Sequence, residues 1–312
     1  MNKTDLIFVA GHRGLVGSAI VRELRKRGFE NLLLRTRQEV DLLVEAEIRE
    51  LLDAERPAVV IDAAAKVGGI LANDSYPADF IRDNLRIQVN LIDAAFDSGA
   101  NKFVFLGSSC IYPKLAAQPI NESELLAGTL EPTNEWYAIA KIAGIKMCQA
   151  YRKQHGFNAI CLMPTNLYGP GDNFDLQTSH VLPALIRKFH EAKQSGAESV
   201  EIWGSGSPRR EFLYVDDLAR AVVFLADNYD DGEIINVGTG EDIRIRDLAA
   251  VVARAIGFTG TLRFDTSKPD GTPRKLLDIG RLKALGWQPE WTFEDGISET
   301  YEWYKRNNPV LV

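Results

Sequence analysis

A doubly wound parallel α/β sheet of the Rossmann type, carrying a smaller α/β lobe, is the fold class this sequence predicts. Three observations carry it. An apolar run at residues 6–10 leads into Gly11-x-x-Gly14-x-x-Gly17 and then into a helical pattern. Strand-like and helix-like stretches then alternate through the first half of the chain, the rhythm of βαβ units. The strand-like stretches are continuous apolar runs, as expected of strands covered on both faces.

The elements follow in chain order. Leu6-Ile7-Phe8-Val9-Ala10 reads as the first strand, and residues 18–27 as a helix closed by Gly28. Leu32-Leu33-Leu34 is the second strand and residues 44–52 the next helix. Residues 58–63 form the third strand. Phe80, Ile81, Leu85, Ile87, Leu91, Ile92 and Ala95 recur at mostly helical spacing and place a long helix at 78–98. Residues 102–106 are the fourth strand, a helix through Tyr137 follows, and residues 159–163 are the fifth strand. After Pro164 the rhythm loosens. Loops rich in Gly, Pro and Asp at 168–175, 204–210 and 268–273 separate helices near 183–193, 216–227, 245–256 and 293–305. Ile234-Ile235-Asn236-Val237 reads as one more strand returning to the first sheet. The expected organisation is a Rossmann domain at 1–168, with 211–240 returning to it. The substrate-binding lobe is expected at 169–210 and 241–312, over the carboxyl edge of the sheet.

Bulk properties narrow the function. Among 312 residues, 46% are apolar and 25% charged, which suits a globular chain. A net charge of −7 argues against nucleic-acid or membrane-surface binding, because nothing would neutralise a phosphate array. Cys110, Cys148 and Cys161 lie far apart with no Cys-x-x-Cys pair, so a reducing, cytoplasmic setting is expected. No Cys/His spacing suits zinc, and no metal is expected. No stretch reaches the 18 or so apolar residues of a membrane span.

The glycine loop predicts a dinucleotide site at Gly11, His12, Arg13, Gly14, Leu15, Val16 and Gly17. Glycines let the backbone approach a pyrophosphate, and a helix N-terminus offers free N–H groups and partial positive charge. The end of the second strand chooses the cofactor. It reads Leu34-Arg35-Thr36-Arg37, and a guanidinium there prefers a 2′-phosphate to a ribose hydroxyl. Arg13 can reach the same group, so NADP is expected; Asp41 is the residue that would favour NAD.

Tyr137 and Lys141 stand at i and i+4, on one helical face. An ammonium beside the phenol is expected to lower its pKa from about 10 toward neutrality, for proton transfer at an alcohol or ketone oxygen. Tyr-x-x-x-Lys alone occurs by chance in many helices. Ser108, closing the fourth strand at the ligand-binding edge, can bond the same oxygen and strengthens the reading.

Ser108, Tyr137 and Lys141 together resemble the catalytic set of the short-chain dehydrogenase/reductase superfamily, and the glycine spacing resembles its extended type. The likeness goes further in five blocks: Gly11 to Gly17, Ala63-Ala64-Ala65-Lys66-Val67-Gly68-Gly69-Ile70, Gly107-Ser108-Ser109-Cys110-Ile111-Tyr112-Pro113-Lys114, Pro164-Thr165-Asn166-Leu167-Tyr168-Gly169-Pro170 and Lys268-Pro269-Asp270-Gly271-Thr272-Pro273-Arg274-Lys275. Their order and spacing resemble the GDP-L-fucose synthase family. That resemblance implies an NADPH-dependent epimerase-reductase acting on a GDP-4-keto-6-deoxy sugar. It implies proton transfers at C3 and C5 by Cys110 and His180, then reduction at C4 with Tyr137 as proton donor. Cofactor contacts are implied at Arg37, Asp41, Leu42, Leu106, Gly107, Ser108, Lys141, Pro164, Thr165, Asn166, Leu167 and His180. Lys188, Trp203, Arg210 and Asp270 are implied as sugar-nucleotide contacts, and a homodimer through the 78–98 helix and the Tyr137 helix.

The remaining candidates have blander readings. Cys148 and Cys161 read as small buried hydrophobes. His155 and His190 read as surface residues, and Tyr301 and Tyr304 as packing. Two departures from the family pattern are Trp136 before the tyrosine and Tyr214 where a histidine is common. An NAD-dependent nucleotide-sugar 4-epimerase of the same fold is the nearest rival; Arg37 and the Cys110/His180 pair speak against it. A non-catalytic NADP-sensing regulator is the other, and the retained Tyr137 and Lys141 speak against that.

Overall fold

Four of the five residues of the first apolar run are buried, Leu6 being half-buried, and these four form β1 (Ile7–Ala10), which lies inside a six-stranded sheet. The computed structural model describes residues 1–268 and 270–308. Pro269 of the 268–275 block and residues 309–312 of the expected lobe lie outside the described residues.

In chain order, α1 (Leu15–Lys26), β2 (Leu32–Leu33), α2 (Glu45–Glu55), β3 (Val59–Asp62), α3 (Ile70–Ser75), α4 (Pro77–Asp97) and β4 (Lys102–Leu106) follow β1. Then come α5 (Glu135–His155), β5 (Ala159–Pro164), β6 (Asn166–Tyr168), α6 (Val181–Ser195), β7 (Ser199–Trp203), β8 (Arg209–Tyr214), α7 (Val215–Asn228) and β9 (Ile235–Val237). The chain continues through β10 (Asp242–Arg244), α8 (Ile245–Ile256), β11 (Thr261–Asp265), β12 (Arg274–Lys275), α9 (Gly280–Ala284) and α10 (Phe293–Asn307).

The main sheet runs β2-β1-β3-β4-β5-β9, and every neighbouring pair is parallel. Strand order reverses between β1 and β3, which opens a crevice at their carboxyl ends. One face carries α1 and α7, with Ile20, Leu24, Leu218 and Val222 fully buried. The other carries α2, α4 and α5, with Ile48, Leu91 and Ile145 fully buried. Covering both faces is why these strands are uninterrupted apolar runs.

The second half builds smaller sheets. β8 is central, pairing with β6 and β12 in parallel and with β10 antiparallel, while β7 pairs with β11. A third core of Leu182, Phe189, Leu248 and Tyr301 joins α6, α8 and α10. Glu211 on β8 has no exposed surface. Its Oε1 accepts from the Thr239 and Gly240 N–H groups at 2.7 and 2.8 Å, and Oε2 from Leu277 N–H at 2.9 Å. Its backbone oxygen accepts from Asn166 Nδ2 at 2.7 Å. A buried carboxylate is stable only with such partners; the Glu211 side chain ties β8 to the segments after β9 and β12, and its backbone carbonyl ties β8 to β6.

Several sequence expectations need correction. α1 begins at Leu15, three residues before the expected position 18, so Leu15, Val16 and Gly17 are its first turn. α2 begins and ends later than 44–52, and β2 stops at Leu33. The short α3 was not expected. Its Ile70 and Leu71 are 60% and 51% exposed, so it carries no buried apolar stripe for a periodicity reading to find. His190 is buried, not at the surface: its Nδ1 lies 3.0 Å from the Tyr301 hydroxyl beneath α10.

Candidate active site

The glycine loop and the start of α1 form one wall. Gly11 has φ +76°, which suits glycine, and an added Cβ at Gly17 would lie 2.2 Å from the Gly11 carbonyl oxygen. The loop therefore closes on itself as tightly as backbone allows. Gly14 caps α1 without a side-chain bond, so the first N–H groups of the helix stay open toward the crevice. His12 Nδ1 is buried without a partner. Burial, then the Arg13 charge, holds its imidazole below the usual range. Arg37 is exposed, with only a long 3.4 Å contact to Asp41. Arg35 is committed elsewhere, to Glu55 at 2.8 Å. These residues fit a dinucleotide carrying a 2′-phosphate: a close backbone cradle, an open helix end and a free guanidinium. Leu42 sits beside this wall with its carbonyl taken by Asn90 at 2.9 Å.

The turn after β4 supplies the reacting groups. Ser108 caps a short 3₁₀ turn, its hydroxyl accepting from Cys110 N–H at 3.1 Å. Ser109 and Ile111 face inward, which leaves Cys110 partly exposed between them. Leu106 and Gly107 lead into this turn against Met163, beside Pro164 and Thr165 at the end of β5. Thr165 Oγ1 and Asn166 Nδ2 both donate to the Glu211 carbonyl, at 3.3 and 2.7 Å, which fixes Pro164 to Leu167 against β8.

Tyr137 and Lys141 share a face of α5, as the spacing predicted. The expected lowering of the phenol pKa does not occur. Burial pushes Tyr137 well above its ordinary value; the negative charges of Cys110 and Asp62 add to this, and only the Ser108 hydrogen bond opposes it. Lys141 is buried, and its Nζ donates to the Leu106 carbonyl at 2.9 Å and lies over the Phe105 ring. Its charge is thus directed under β4 rather than at the phenol. A tyrosine held protonated is a loaded proton donor. Asp62, behind Lys141, is pushed up to about 6 by burial, and its Oδ2 has no partner.

His180 caps α6. Gly69 N–H donates to Thr178 O at 2.8 Å, and an added Cβ on Gly69 would lie 2.5 Å from Ser179 O. That close approach explains Gly69 and fixes the backbone just before His180, while a Cβ on Gly68 would press on Ala72 and Phe80 instead. The imidazole keeps solvent access, yet burial on its other sides and then the Lys275 charge hold it below the usual range. A side chain both reachable and crowded lines a cleft.

The expected sugar-nucleotide residues form a connected row. Lys188 and Lys268 place their Nζ atoms 5.6 and 5.5 Å from the centroid of the exposed Trp203 ring. Asp270 accepts from Ser205 N–H and Oγ at 2.7 and 2.8 Å, so each oxygen keeps a lone pair. Burial holds the Arg210 guanidinium below its usual range against the opposing charges of Cys110, Glu131 and Asp270, and those charges link this row to the reacting turn. Trp136, 42% exposed, occupies the first turn of α5, and Tyr214 is buried against Trp291.

Sequence reasoning missed two residues. Lys275 Nζ lies 3.3 Å from Cys110 Sγ, and Glu131 ties Lys114 (2.8 Å) to Thr272 (3.5 Å). Lys275 closes one of the quoted blocks and Glu131 lies outside all of them, but the partners of each are distant in sequence, and only folding pairs them.

Comparison with known proteins places these features in a family context. A model described as the NAD dependent epimerase/dehydratase family matches residues 7–238. The chain is 61% identical to GDP-L-fucose synthase 1 of Arabidopsis thaliana, over 98% of this chain and 95% of that one. It is 55% identical to GDP-L-fucose synthase of Escherichia coli (strain K12), over 96% and 97%. The structure of a GDP-L-fucose synthetase from Naegleria fowleri bound to NADP superimposes with a TM-score of 0.91 at 31% identity, over 98% and 96% of the two chains.

Proposed function

The chain belongs to the NAD dependent epimerase/dehydratase family, and from that premise we propose roles for its residues in one reaction. The activity is that of a GDP-L-fucose synthase, an NADP(H)-dependent epimerase-reductase that converts GDP-4-keto-6-deoxy-D-mannose to GDP-L-fucose. The observation that carries the assignment of roles is the meeting of Ser108, Cys110 and Tyr137 around one turn, with Lys275 Nζ 3.3 Å from Cys110 Sγ and its charge acting on His180.

A ketone at C4 makes the hydrogens at C3 and C5 acidic, so inversion there needs one group to take a proton and another to return it. Cys110 and His180 share these transfers; a thiol and an imidazole titrate closest to neutrality. Ser108 then bonds the C4 oxygen, and Tyr137 donates its proton to it. Bound NADPH supplies the hydride for C4. Gly11 to Gly17 and the N-terminus of α1 would hold its pyrophosphate, Arg13 and Arg37 its 2′-phosphate, and Lys141 and Pro164 to Leu167 would border its nicotinamide ribose. Arg210 pairs with the substrate diphosphate, Trp203 packs on the base or sugar between Lys188 and Lys268, and Asp270 accepts from guanine N–H groups.

Steady-state kinetics test the two binding assignments. Arg37→Ala is expected to weaken NADPH about tenfold or more, the low end of a charge-assisted bond at an exposed site, with little change for NADH. Arg210→Gln is expected to raise KM for the sugar nucleotide and leave KM for NADPH unchanged. Equal losses for NADPH and NADH in the first variant would contradict the 2′-phosphate assignment.

We read residues 1–168 with 211–240 as the cofactor-binding domain and 169–210 with 241–312 as the substrate lobe. A homodimer through α4 and α5 fits the exposed Val89 and Trp136 on those helices. A cytoplasmic location fits three unpaired cysteines. No helix among the described residues is long and apolar enough to cross a membrane. Sedimentation equilibrium giving twice the chain mass supports the dimer, and a single-chain mass overturns it. Cell fractionation checks the location: recovery outside the cytoplasmic fraction would contradict it.

A further inference from the structure

Lys275 enters the site from a strand of only 2 residues. β12 runs parallel to β8, with Arg274 in register with Arg209 and Lys275 with Arg210. Residues in register share a face, and successive residues alternate. Arg209 and Arg274 take one face and both bind Asp242, at 2.7 and 2.5 Å. Arg210 and Lys275 are therefore turned the other way, toward the turn after β4. There Lys275 Nζ stops 3.3 Å from Cys110 Sγ. Among the described residues no carboxylate pairs with Lys275, so its charge is not already neutralised.

We propose that Lys275 is the counter-ion of Cys110, a positioning residue that holds the sulfur as a thiolate ready to take a proton from the hexose. This rests on the reading of Cys110 above. On ionisation the thiol proton goes to solvent, and the contact becomes a charge-assisted N–H···S⁻ bond. The groups facing the sulfur from neighbouring elements are Lys275 on β12, Arg210 on β8, Ser108 in its own turn and Tyr137 on α5. Burial alone would push the thiol up, but Lys275, the Ser108 hydroxyl and Arg210 together hold it below the usual thiol range. The same ammonium disfavours a second cation at His180. The charge balancing the thiolate is thus a lysine and not the imidazole, which stays free for its own proton transfer.

The test is the pH dependence of Cys110 alkylation by iodoacetamide in the full chain, from about pH 5 to about pH 10, read by mass on the peptide that carries Cys110. Cys148 and Cys161 are buried and serve as internal unreactive controls. NADPH binding by fluorescence reports that each variant is folded. The parent is expected to show a midpoint below the free-thiol value of about 8.5. Lys275→Met is expected to raise the midpoint by about one unit or more and slow alkylation at neutral pH about tenfold. Lys275→Arg restores the parent midpoint, and His180→Ala leaves it in place. If Lys275→Met does not fold, Lys275→Gln, uncharged but still a hydrogen-bond donor, is judged by the same criterion. A midpoint unmoved by removing the Lys275 charge overturns the proposal, as does an equal rise in His180→Ala. No sugar turnover is needed, so failure to form GDP-L-fucose would count against the proposed function and leave this result readable.

Discussion

Tyr137→Phe is expected to slow reduction of the 4-keto sugar by about 10²- to 10⁴-fold, the usual contribution of a positioned general acid. NADPH affinity is expected to stay close to that of the parent. Only the hydroxyl group is removed, and the ring keeps its place. Burial and the nearby negative charges of Cys110 and Asp62 keep that hydroxyl protonated through neutral pH, so the parent enters each turnover loaded. The phenylalanine ring fills the same space beside Ser108 but has no proton to give. Stopped-flow measurement of NADPH oxidation, with fluorescence titration of NADPH alone, separates the two quantities. Lost binding with intact turnover would show that Tyr137 holds the cofactor rather than protonating the sugar.

Gly17→Ala is expected to weaken NADPH binding by about 10- to 100-fold, because the added methyl costs about 1–3 kcal/mol of forced backbone displacement. The methyl would sit 2.2 Å from the Gly11 carbonyl oxygen and 2.8 Å from the His12 Cα. Both are backbone atoms and cannot swing aside as a side chain would. Relief requires the loop to move away from α1, which spoils the approach of its N–H groups to a pyrophosphate. Calorimetric titration with NADPH measures the loss; an affinity equal to the parent's would mean that the pyrophosphate does not lie on this turn.

The first half of the chain was legible because local signals and tertiary roles agree there. β1, β3 and β4 are apolar runs buried on both faces, and Gly11 and Gly17 mark a turn that only glycine can make. Boundaries failed where no side chain marks them. α1 starts at Leu15 because Gly14 caps it with backbone alone, so no Ser, Thr or Asp announces the helix. β6 and β12 are 3 and 2 residues long and exist through pairing with β8, which pattern reading cannot see.

The site was legible as a set of residue types but not as a field. Tyr137 and Lys141 were found by spacing, yet spacing says nothing of burial. The sign of the tyrosine shift follows from burial and from Lys141 turning to the Leu106 carbonyl. Lys275 stands 165 positions from Cys110, so their contact is written only in the parallel register of β12 on β8. His190 was misplaced because Glu191 and Lys193 flank it, while its partner, Tyr301, comes from the far end of the chain.

The central claim is that Cys110 and His180 carry protons to and from carbons beside the C4 ketone. Incubating the protein with GDP-4-keto-6-deoxy-D-mannose in D2O without NADPH, and following deuterium at C3 and C5 by NMR, tests it most directly. Exchange at both carbons in the parent, with Cys110→Ser and His180→Ala each impairing it, is the predicted result. No exchange in the parent, or exchange indifferent to both substitutions, would contradict it.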